Sequence, residues 1–414
     1  MPLFFLPVCF LIYEVRKIIV IMSKYIKSAL DLDLYLYSVS YAFVYKYPSA
    51  SGQLVFADRN NTVYTKEFFE KFKEEVKNLE KLEMTKEEME WCINKIPYIP
   101  RPYWEMIKGF RYESDKISLS LDEEGHLKMS VTDYLYKAVL YEVPLLALLS
   151  EMTNEDRGYE ADMMEVKKRL ERKIEMGNEN QLRTSEFGTR RRFSYAVQEY
   201  VVKTLHERFQ YFSGTSNVYL AKKYNLTPIG TQNHFWFMFH AAQFGYRHAN
   251  LLAMEAWRDV YRGSLGIALS DTLTSDVFFK NFSEEMAHLY DGVRQDSGVE
   301  EEFVDKCVAR YNELGINPST KVICFSNSLN FPKMVVIKQY CDRKGIRAVF
   351  GVGNNLVADT GFPIANQVMK LMRCKMNDKQ DRYQECIKIS DDLGKHMGDQ
   401  KELEKAASEL GISL

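Results

Sequence analysis

Residues 322–356 read Val-Ile-Cys-Phe-Ser-Asn-Ser-Leu-Asn, then Phe-Pro-Lys-Met-Val-Val-Ile-Lys-Gln-Tyr, then Cys-Asp-Arg-Lys-Gly-Ile-Arg-Ala-Val-Phe, then Gly-Val-Gly-Asn-Asn-Leu. Two short apolar runs, Val322–Phe325 and Arg347–Phe350, each end in a small polar loop. The segment 331–344 between them has helical periodicity. Strand, helix and parallel strand is the repeating unit of an α/β fold. Both loops fall at the carboxyl ends of their strands, where a βα barrel builds its active site. The glycines of Gly351-Val-Gly-Asn-Asn355 permit close backbone approach, so that consecutive N–H groups can face a phosphate. Alone, such a loop is as readily a plain turn. Ser326-Asn-Ser328 after the preceding strand favours the phosphate reading, because loops after adjacent late strands are where barrels hold one.

The same order extends upstream. Leu265–Leu269 reads as a strand ending at Asp271, and Leu289–Val293 as a strand ending at Arg294, with a helix at about 300–314. Earlier polar loops are Phe187-Gly-Thr-Arg-Arg-Arg192 and Gly230-Thr-Gln-Asn-His234. Helices are expected at 155–178, Tyr195–His206 and Val218–Tyr224. Ala138–Val143 reads as a continuous apolar strand, with Pro144 opening a helix. Before residue 135 the pattern is mixed. It gives a helix over 24–48, a strand over 52–57, a helix from Thr65, a capping box at Thr85 and Glu88, and a hairpin of Ile117–Leu121 with Leu127–Val131. The expected fold is therefore α/β, with an irregular α/β barrel at 136–365. It packs on a smaller α+β domain at 22–135, joined by 366–414. Pro2–Tyr13 is apolar but too short to span a bilayer, and no basic residue precedes it. Residues 1–21 are expected to be a non-native or disordered extension, with the working protein starting at Met22.

A chain of 414 residues with a formal charge of −2 has no global electrostatic pull toward nucleic acid or an acidic membrane. Its seven cysteines form no Cys-x-x-Cys pair and are odd in number. That favours a reducing, cytoplasmic setting and argues against a structural zinc site.

Four further groups carry chemistry. Arg294-Gln-Asp-Ser-Gly298 offers a cation and an anion at one strand end. Arg294 can bind an anion in bidentate fashion, and Asp296 can accept from sugar hydroxyls or hold magnesium; the alternative is a salt bridge closing a turn. Arg190, Arg191 and Arg192 follow Phe187-Gly188. They are a solvated face, or one or two of them face an anion site while Phe187 stacks on a planar ring. His234 is a helix cap or core residue in the bland reading, and a nucleophile or acid/base in the functional one. Its spacing to His240 and His248 fits no metal site. Ser213-Gly-Thr-Ser-Asn217 is a polar turn at a helix start whose amides can face an anion.

In order, Asp33-Leu-Tyr35, Tyr141-Glu-Val-Pro-Leu-Leu146, Phe187-Gly-Thr-Arg-Arg-Arg-Phe-Ser194, Phe212-Ser-Gly-Thr-Ser-Asn-Val218, Gly230-Thr-x-x-His234, Leu265-Gly-Ile-Ala-Leu-Ser-Asp-Thr272, Asp296-Ser-Gly298 and Lys388-Ile-Ser-Asp-Asp-Leu-Gly-Lys395 resemble nicotinate phosphoribosyltransferase. The resemblance runs from about Lys24 to the end of the chain. It implies a type II phosphoribosyltransferase-like barrel. The implied reaction joins nicotinate to 5-phosphoribosyl-1-pyrophosphate, giving nicotinate mononucleotide and pyrophosphate in NAD salvage. It implies ATP as co-substrate, hydrolysed through a phosphohistidine at His234, and Mg2+ bound with the substrate phosphates. It implies catalytic roles for His234, Asp296 and Arg294, with Asp296 contacting the ribose. Tyr35 and Phe187 would sandwich the pyridine ring. Arg190 and Arg294 would lie near carboxylate and phosphates. Ser326, Asn327, Gly353 and Asn354, with Asn355 in the same loop, would cradle the 5-phosphate, and Thr215 and Asn217 would join the binding residues. A homodimer is implied, with Tyr35 supplied across the subunit boundary. The chain departs from the family pattern at Phe235, where Glu is usual, at Gln295, where His is common, and at Asn327 and Asn354. The rival functions are transfer to nicotinamide or another pyridine base, and nucleotide binding without catalysis.

Overall fold

The apolar runs between the polar loops form one parallel sheet. A computed structural model describes residues 23–414 apart from the side chain of Leu393; Pro2–Tyr13, Cys9 and the expected start at Met22 lie outside the described residues. The strands, in chain order, are β1 (Ser51–Asp58), β2 (Ile117–Leu121), β3 (Leu127–Tyr134), β4 (Thr184–Glu186), β5 (Phe212–Thr215), β6 (Ile267–Leu269), β7 (Gly292–Gln295), β8 (Val322–Phe325), β9 (Arg347–Val352), β10 (Gln367–Lys375) and β11 (Gln384–Glu385). Six of them pair in the order β5-β4-β9-β8-β7-β6, and every pair is parallel. Parallel strands need crossovers, and helices at Glu300–Glu313 and Phe331–Lys344 provide them between β7, β8 and β9. Because all six strands run the same way, the loops after them share one rim.

The edge strands β5 and β6 are bridged by an irregular segment. Ile229 N donates to Thr215 O (2.9 Å), Thr231 Oγ1 donates to Ile267 O (3.2 Å), and Leu269 N donates to Gln232 Oε1 (3.0 Å).

A second sheet, of order β11-β10-β1-β3-β2, is antiparallel throughout. Its alternation is visible in β1, where Gly52, Leu54 and Phe56 are buried and their neighbours are not. Beyond β9 the chain returns to this sheet, pairing β10 with β1 from Ser51↔Lys375 to Asp58↔Gln367. The tail then crosses to the parallel sheet, where Ile389 N donates to Thr272 O (2.8 Å). Among the described residues no helix is long and apolar enough to cross a membrane.

The expected strand at 138–143 is helical. Leu135–Ala138, a 3-10 turn at Val139–Tyr141 and the helix Glu142–Asp156 follow one another, and every residue from Glu142 to Thr153 is buried. A helix enclosed on all sides has no polar stripe, so its apolar run cannot be told from a buried strand by periodicity. Pro144 lies in the first turn, where its missing N–H leaves no bond unmade. The strand expected at 289–293 begins at Gly292, because Glu284–Leu289 is a helix. The loop at Gly230 follows the helix Val218–Lys223 and a coil rather than a strand. The helices expected at 24–48 and 155–178 occupy Leu34–Lys46 and Met163–Glu179.

Arg192, fully buried, joins the layers. Nη1 donates to Asp31 Oδ1 (2.7 Å) and Gln198 Oε1 (3.1 Å). Nη2 donates to Asp31 Oδ2 (3.0 Å) and Tyr25 O (2.9 Å), and Nε to Glu151 Oε1 (2.7 Å). All five guanidinium donors thus have acceptors. We predict that Arg192→Met lowers unfolding free energy by ~3–5 kcal/mol, the usual result of stripping one partner from a buried charge cluster. Urea unfolding measures it, and a loss under 1 kcal/mol would contradict this reading.

Candidate active site

The rim loops after β7 and β8 meet first. Arg294 Nη2 donates to Asp296 Oδ1 (3.0 Å) and Nε to Ser326 Oγ (2.8 Å), while Ser326 Oγ donates to the same Asp296 oxygen (2.5 Å). Gln295↔Phe325 pairing sets this register. One carboxylate oxygen is therefore anchored. The other, Oδ2, lies 3.8 Å from His234 Nε2. Burial and the nearby Asp271 push the Asp296 carboxyl up, but Arg294, His234 and Lys388 together hold it below its usual range.

His234 opens the helix His234–Phe244, whose cap is the Asn233 side chain accepting from Trp236 N. Its ring is 22% exposed. Nε2 lies 2.9 Å from Asp271 Oδ1 and 2.9 Å from Lys388 Nζ. Lys388 Nζ also donates to Asp271 Oδ2 (2.7 Å), as does Ser297 Oγ (2.7 Å). Asp271 is buried just past β6, and Lys388 is buried in the tail strap. Burial, then the Lys388 ammonium, lowers the His234 pKa despite Asp271. The imidazole is accordingly neutral at pH 7. When Nε2–H donates to Asp271, the lone pair resides on Nδ1.

His234, Asp271 and Asp296 bring ligand-type atoms within 4.8 Å of one another. Histidine spacing along the chain could not reveal this grouping, because the three come from separate elements. The Lys388 ammonium already sits against two of the three. His240 belongs to the core, beside Trp236 O and Tyr47 Oη, with its pKa pushed down to about 4 by burial.

Across the rim, the buried Glu142 carboxylate grips two candidates. Tyr35 Oη donates to its Oε2 (3.0 Å) and Arg190 Nη1 to its Oε1 (3.0 Å). Arg190 remains 35% exposed. Tyr35 thus meets Glu142 of its own chain. It also abuts the His234 loop, since a Cβ on Gly230 would stand 3.1 Å from Tyr35 N. Phe187 rests on the glycine loop of β9: a Cβ on Gly351 would lie 2.3 Å from its ring, and Phe187 N donates to Val352 O (2.9 Å). Arg191 donates to Gln367 O (2.9 Å) and pairs with no carboxylate among the described residues. Burial, then Arg190 and Arg59, push its pKa down to about 9.

Some sequence candidates have other duties. Thr215 and Asn217 are fully buried. Thr215 Oγ1 donates to Glu186 Oε2 (2.6 Å), and Asn217 uses its amide on Asp31 (2.8 Å) and its oxygen to cap Leu220 N (2.9 Å). Their side-chain hydrogen bonds are made inside the fold, where they brace the floor beneath the rim. Arg192 is likewise structural. Asn355 gives its carbonyl to Lys173, and its side-chain oxygen is sealed from solvent, so it supports the loop from behind. Asn327 is half-buried at the rim, with Oδ1 accepting from Lys395 (3.1 Å). Gly353 and Asn354 are half-buried where β9 ends. Gln295 folds its own loop, donating to Ser297 O (2.8 Å) and Gly298 O (3.0 Å).

A sequence model of the nicotinate phosphoribosyltransferase family matches residues 182–413, and one of the family's N-terminal domain matches residues 30–150. The chain belongs to the nicotinate phosphoribosyltransferase family. A nicotinate phosphoribosyltransferase of Chromohalobacter salexigens is 38% identical over 389 residues, 93% of this chain and 98% of the relative. The crystal structure of nicotinate phosphoribosyltransferase from Porphyromonas gingivalis superposes with a TM-score of 0.91 at 40% identity, covering 93% of this chain and 99% of that one. A Saccharomyces cerevisiae structure titled a putative nicotinate phosphoribosyltransferase gives 0.87 at 32%, covering 95% and 100%. The fold is the mixed α/β fold of these nicotinate phosphoribosyltransferases.

Within this family fold, the residues that sequence reasoning passed over are Glu142, Asp271, Ser297 and Lys388. All four stand inside the family-like motifs; Asp271 and Lys388 carried a further mark. Their signal was a charged residue flanked by a strand end or by isoleucines. Phe235, where the family pattern has Glu, is buried in the core, and the carboxylate on the imidazole is that of Asp271. Because folded His234 refuses a proton that the unfolded chain accepts near 6.5, it removes stability as pH falls below about 6.5. Replacing Lys388 with Met removes a cation and leaves Asp271 facing the ring, so the His234 pKa rises. Imidazole NMR titration reads this, and an unmoved or lowered pKa would refute the arrangement.

Proposed function

We propose that this protein is a nicotinate phosphoribosyltransferase that forms nicotinate mononucleotide for NAD salvage, with ATP hydrolysis coupled through a phosphohistidine. The observation that carries the reading is the rim cluster. An anchored, ionised Asp296 and a neutral His234 face each other in a chain that matches its curated relatives over nearly its full length.

The reacting atoms need positioning and charge stabilisation rather than covalent help. The pyridine nitrogen attacks the anomeric carbon, the bond to pyrophosphate breaks, and positive charge develops on the ribose. Asp296, with one oxygen tied to Arg294 and Ser326, keeps the other for the sugar, where its negative charge stabilises that transition state. Phe187 and Tyr35 offer aromatic surface for the ring. Arg190 spends one nitrogen on Glu142 and keeps its remaining donors for the nicotinate carboxylate. A desolvated site built for a carboxylate disfavours the amide. The Ser326–Asn327 and Gly353–Asn354 loops take the 5-phosphate.

The neutral His234 lone pair attacks the γ-phosphorus of ATP, and ADP leaves with the electron pair of the broken bond. Lys388 then offsets the charge of the phosphoryl group. Mg2+ would be held mainly through the substrate phosphates, since both Asp271 oxygens are committed and Asp296 Oδ2 is kept for the sugar. When bound there, magnesium neutralises charge on the leaving pyrophosphate. In this reading the parallel sheet with its bridging segment at 229–232 is the irregular barrel, over 136–365. The antiparallel sheet, formed by 22–135 with 366–414, is the second domain. A cytoplasmic homodimer completes the proposal. The first part is supported by the six cysteines of the described residues, all buried and unbridged, and the second by the family resemblance.

Product formation from nicotinate and phosphoribosyl pyrophosphate with magnesium, with and without ATP, tests the reading beside His234→Ala. We expect a rate that rises with ATP in the unmutated protein and not in the variant. Product insensitive to both would remove the phosphohistidine, and no product from nicotinate would remove the function. Glu142→Gln is expected to raise KM for nicotinate about tenfold, the equivalent of ~1.4 kcal/mol, with kcat little changed. Steady-state kinetics with a matched melting curve check it; an unchanged KM would detach Glu142 from the base site.

A further inference from the structure

Cys374 lies on β10 and Cys386 one residue past β11, and their sulfur atoms are 3.4 Å apart. Both are fully buried. In the antiparallel ladder Cys374 faces Gln384, and Cys386 N donates to Met372 O (2.8 Å). The two cysteines are therefore diagonal neighbours on one face, in contact and unbonded.

The position of this pair gives it reach. Two residues beyond Cys386 stands Lys388, whose ammonium donates to Asp271 and lies 2.9 Å from His234 Nε2. Lys388 is pinned by mutual backbone bonds with Met397 (2.9 Å each), and Ile389 is pinned to Thr272. The strap 386–389 thus ties the cysteine pair directly to the histidine site. The outer wall is thin: β11 is a two-residue, exposed edge strand with two ladder positions, and the turn before it is largely exposed. Short edge pairings open at the low end of the local stability scale, which gives an oxidant its route to buried sulfur.

We propose that Cys374 and Cys386 are a reversible redox modification site that governs the histidine site through Lys388. A peroxide is the oxidant. When the edge opens, one thiol gives up its proton and its sulfur attacks a peroxide oxygen; the O–O bond breaks, sulfenic acid forms, and the departing hydroxide takes the released proton to become water. The second thiol then displaces the hydroxyl as water. Two thiols lose two protons and two electrons, one S–S bond forms, and hydrogen peroxide becomes two waters. A disulfide requires about 2.05 Å between sulfurs, so closing the pair draws Cys386 toward β10. The strap follows, and Lys388 is pulled off the imidazole and Asp271.

The effect on turnover rests on the proposed function; formation of the bond does not. Full-length protein is treated with hydrogen peroxide and then digested without reductant. Mass spectrometry should find the Cys374 and Cys386 peptides joined at 2 Da below their sum. Amide exchange should speed up over 386–398 in the oxidised form. ATP-stimulated product formation should fall at least threefold and return with dithiothreitol. Cys386→Ser and Cys374→Ser proteins should each lose this sensitivity. Absence of the cross-link, or a cross-link that changes neither exchange nor turnover, overturns the proposal. If the reduced protein makes no product, the function reading fails, and the exchange data alone decide the switch.

Discussion

A single guanidinium organises this molecule. Arg192 has no water to turn to, and its five donors are met by the N-terminal segment, the helix Glu142–Asp156 and the helix after the arginine loop. A buried cation with any donor unmet would be costly, so these elements can pack only in the arrangement that satisfies all of them. The network continues through Asp31 to Asn217 and through Gln198 to Glu186 and Thr189. Glu186 ends β4. The polar residues beneath the rim thus form one connected layer, and the functional side chains stand on it.

That layer explains how consecutive arginines acquire different fates. Arg190 turns to Glu142 and the open rim, Arg191 to the start of β10, and Arg192 inward. A tight 3-10 turn at Thr189–Arg191 sends neighbouring side chains in divergent directions. The helix Glu142–Asp156 contributes at both levels, with Glu142 at the rim and Glu151 in the buried cluster two turns below.

Much of this was legible in the chain. The strands at 322–325 and 347–350 and the helix at 331–344 were readable because polar loops bracket short apolar runs there. The loops at Arg294, Ser326 and Gly351 identified the rim for the same reason. What stayed hidden had two physical causes. The helix at 142–156 is buried on every side through Thr153 and unbroken in its apolar run from Val143 to Leu149, so its period is silent there and its entry was read as a strand. The partners of His234 come from β6 and from the tail strap, and no local spacing encodes a contact made across 154 positions. The inward side-chain bonds of Thr215 and Asn217 were hidden for a related reason: a polar turn looks the same whether its side chains face a ligand or the interior.

The pairing of β10 with β1 bears on how the chain is made. β1 is complete by residue 58, and its second neighbour does not begin until residue 367. At ~5–20 residues per second, the ribosome needs about 15–60 s to span that gap. Throughout that time one edge of β1 has no native partner, and an open edge is a template for pairing with another chain. Lys388 lies beyond residue 367 as well. A nascent chain therefore carries an open sheet edge and an incomplete histidine site together until both stretches have emerged.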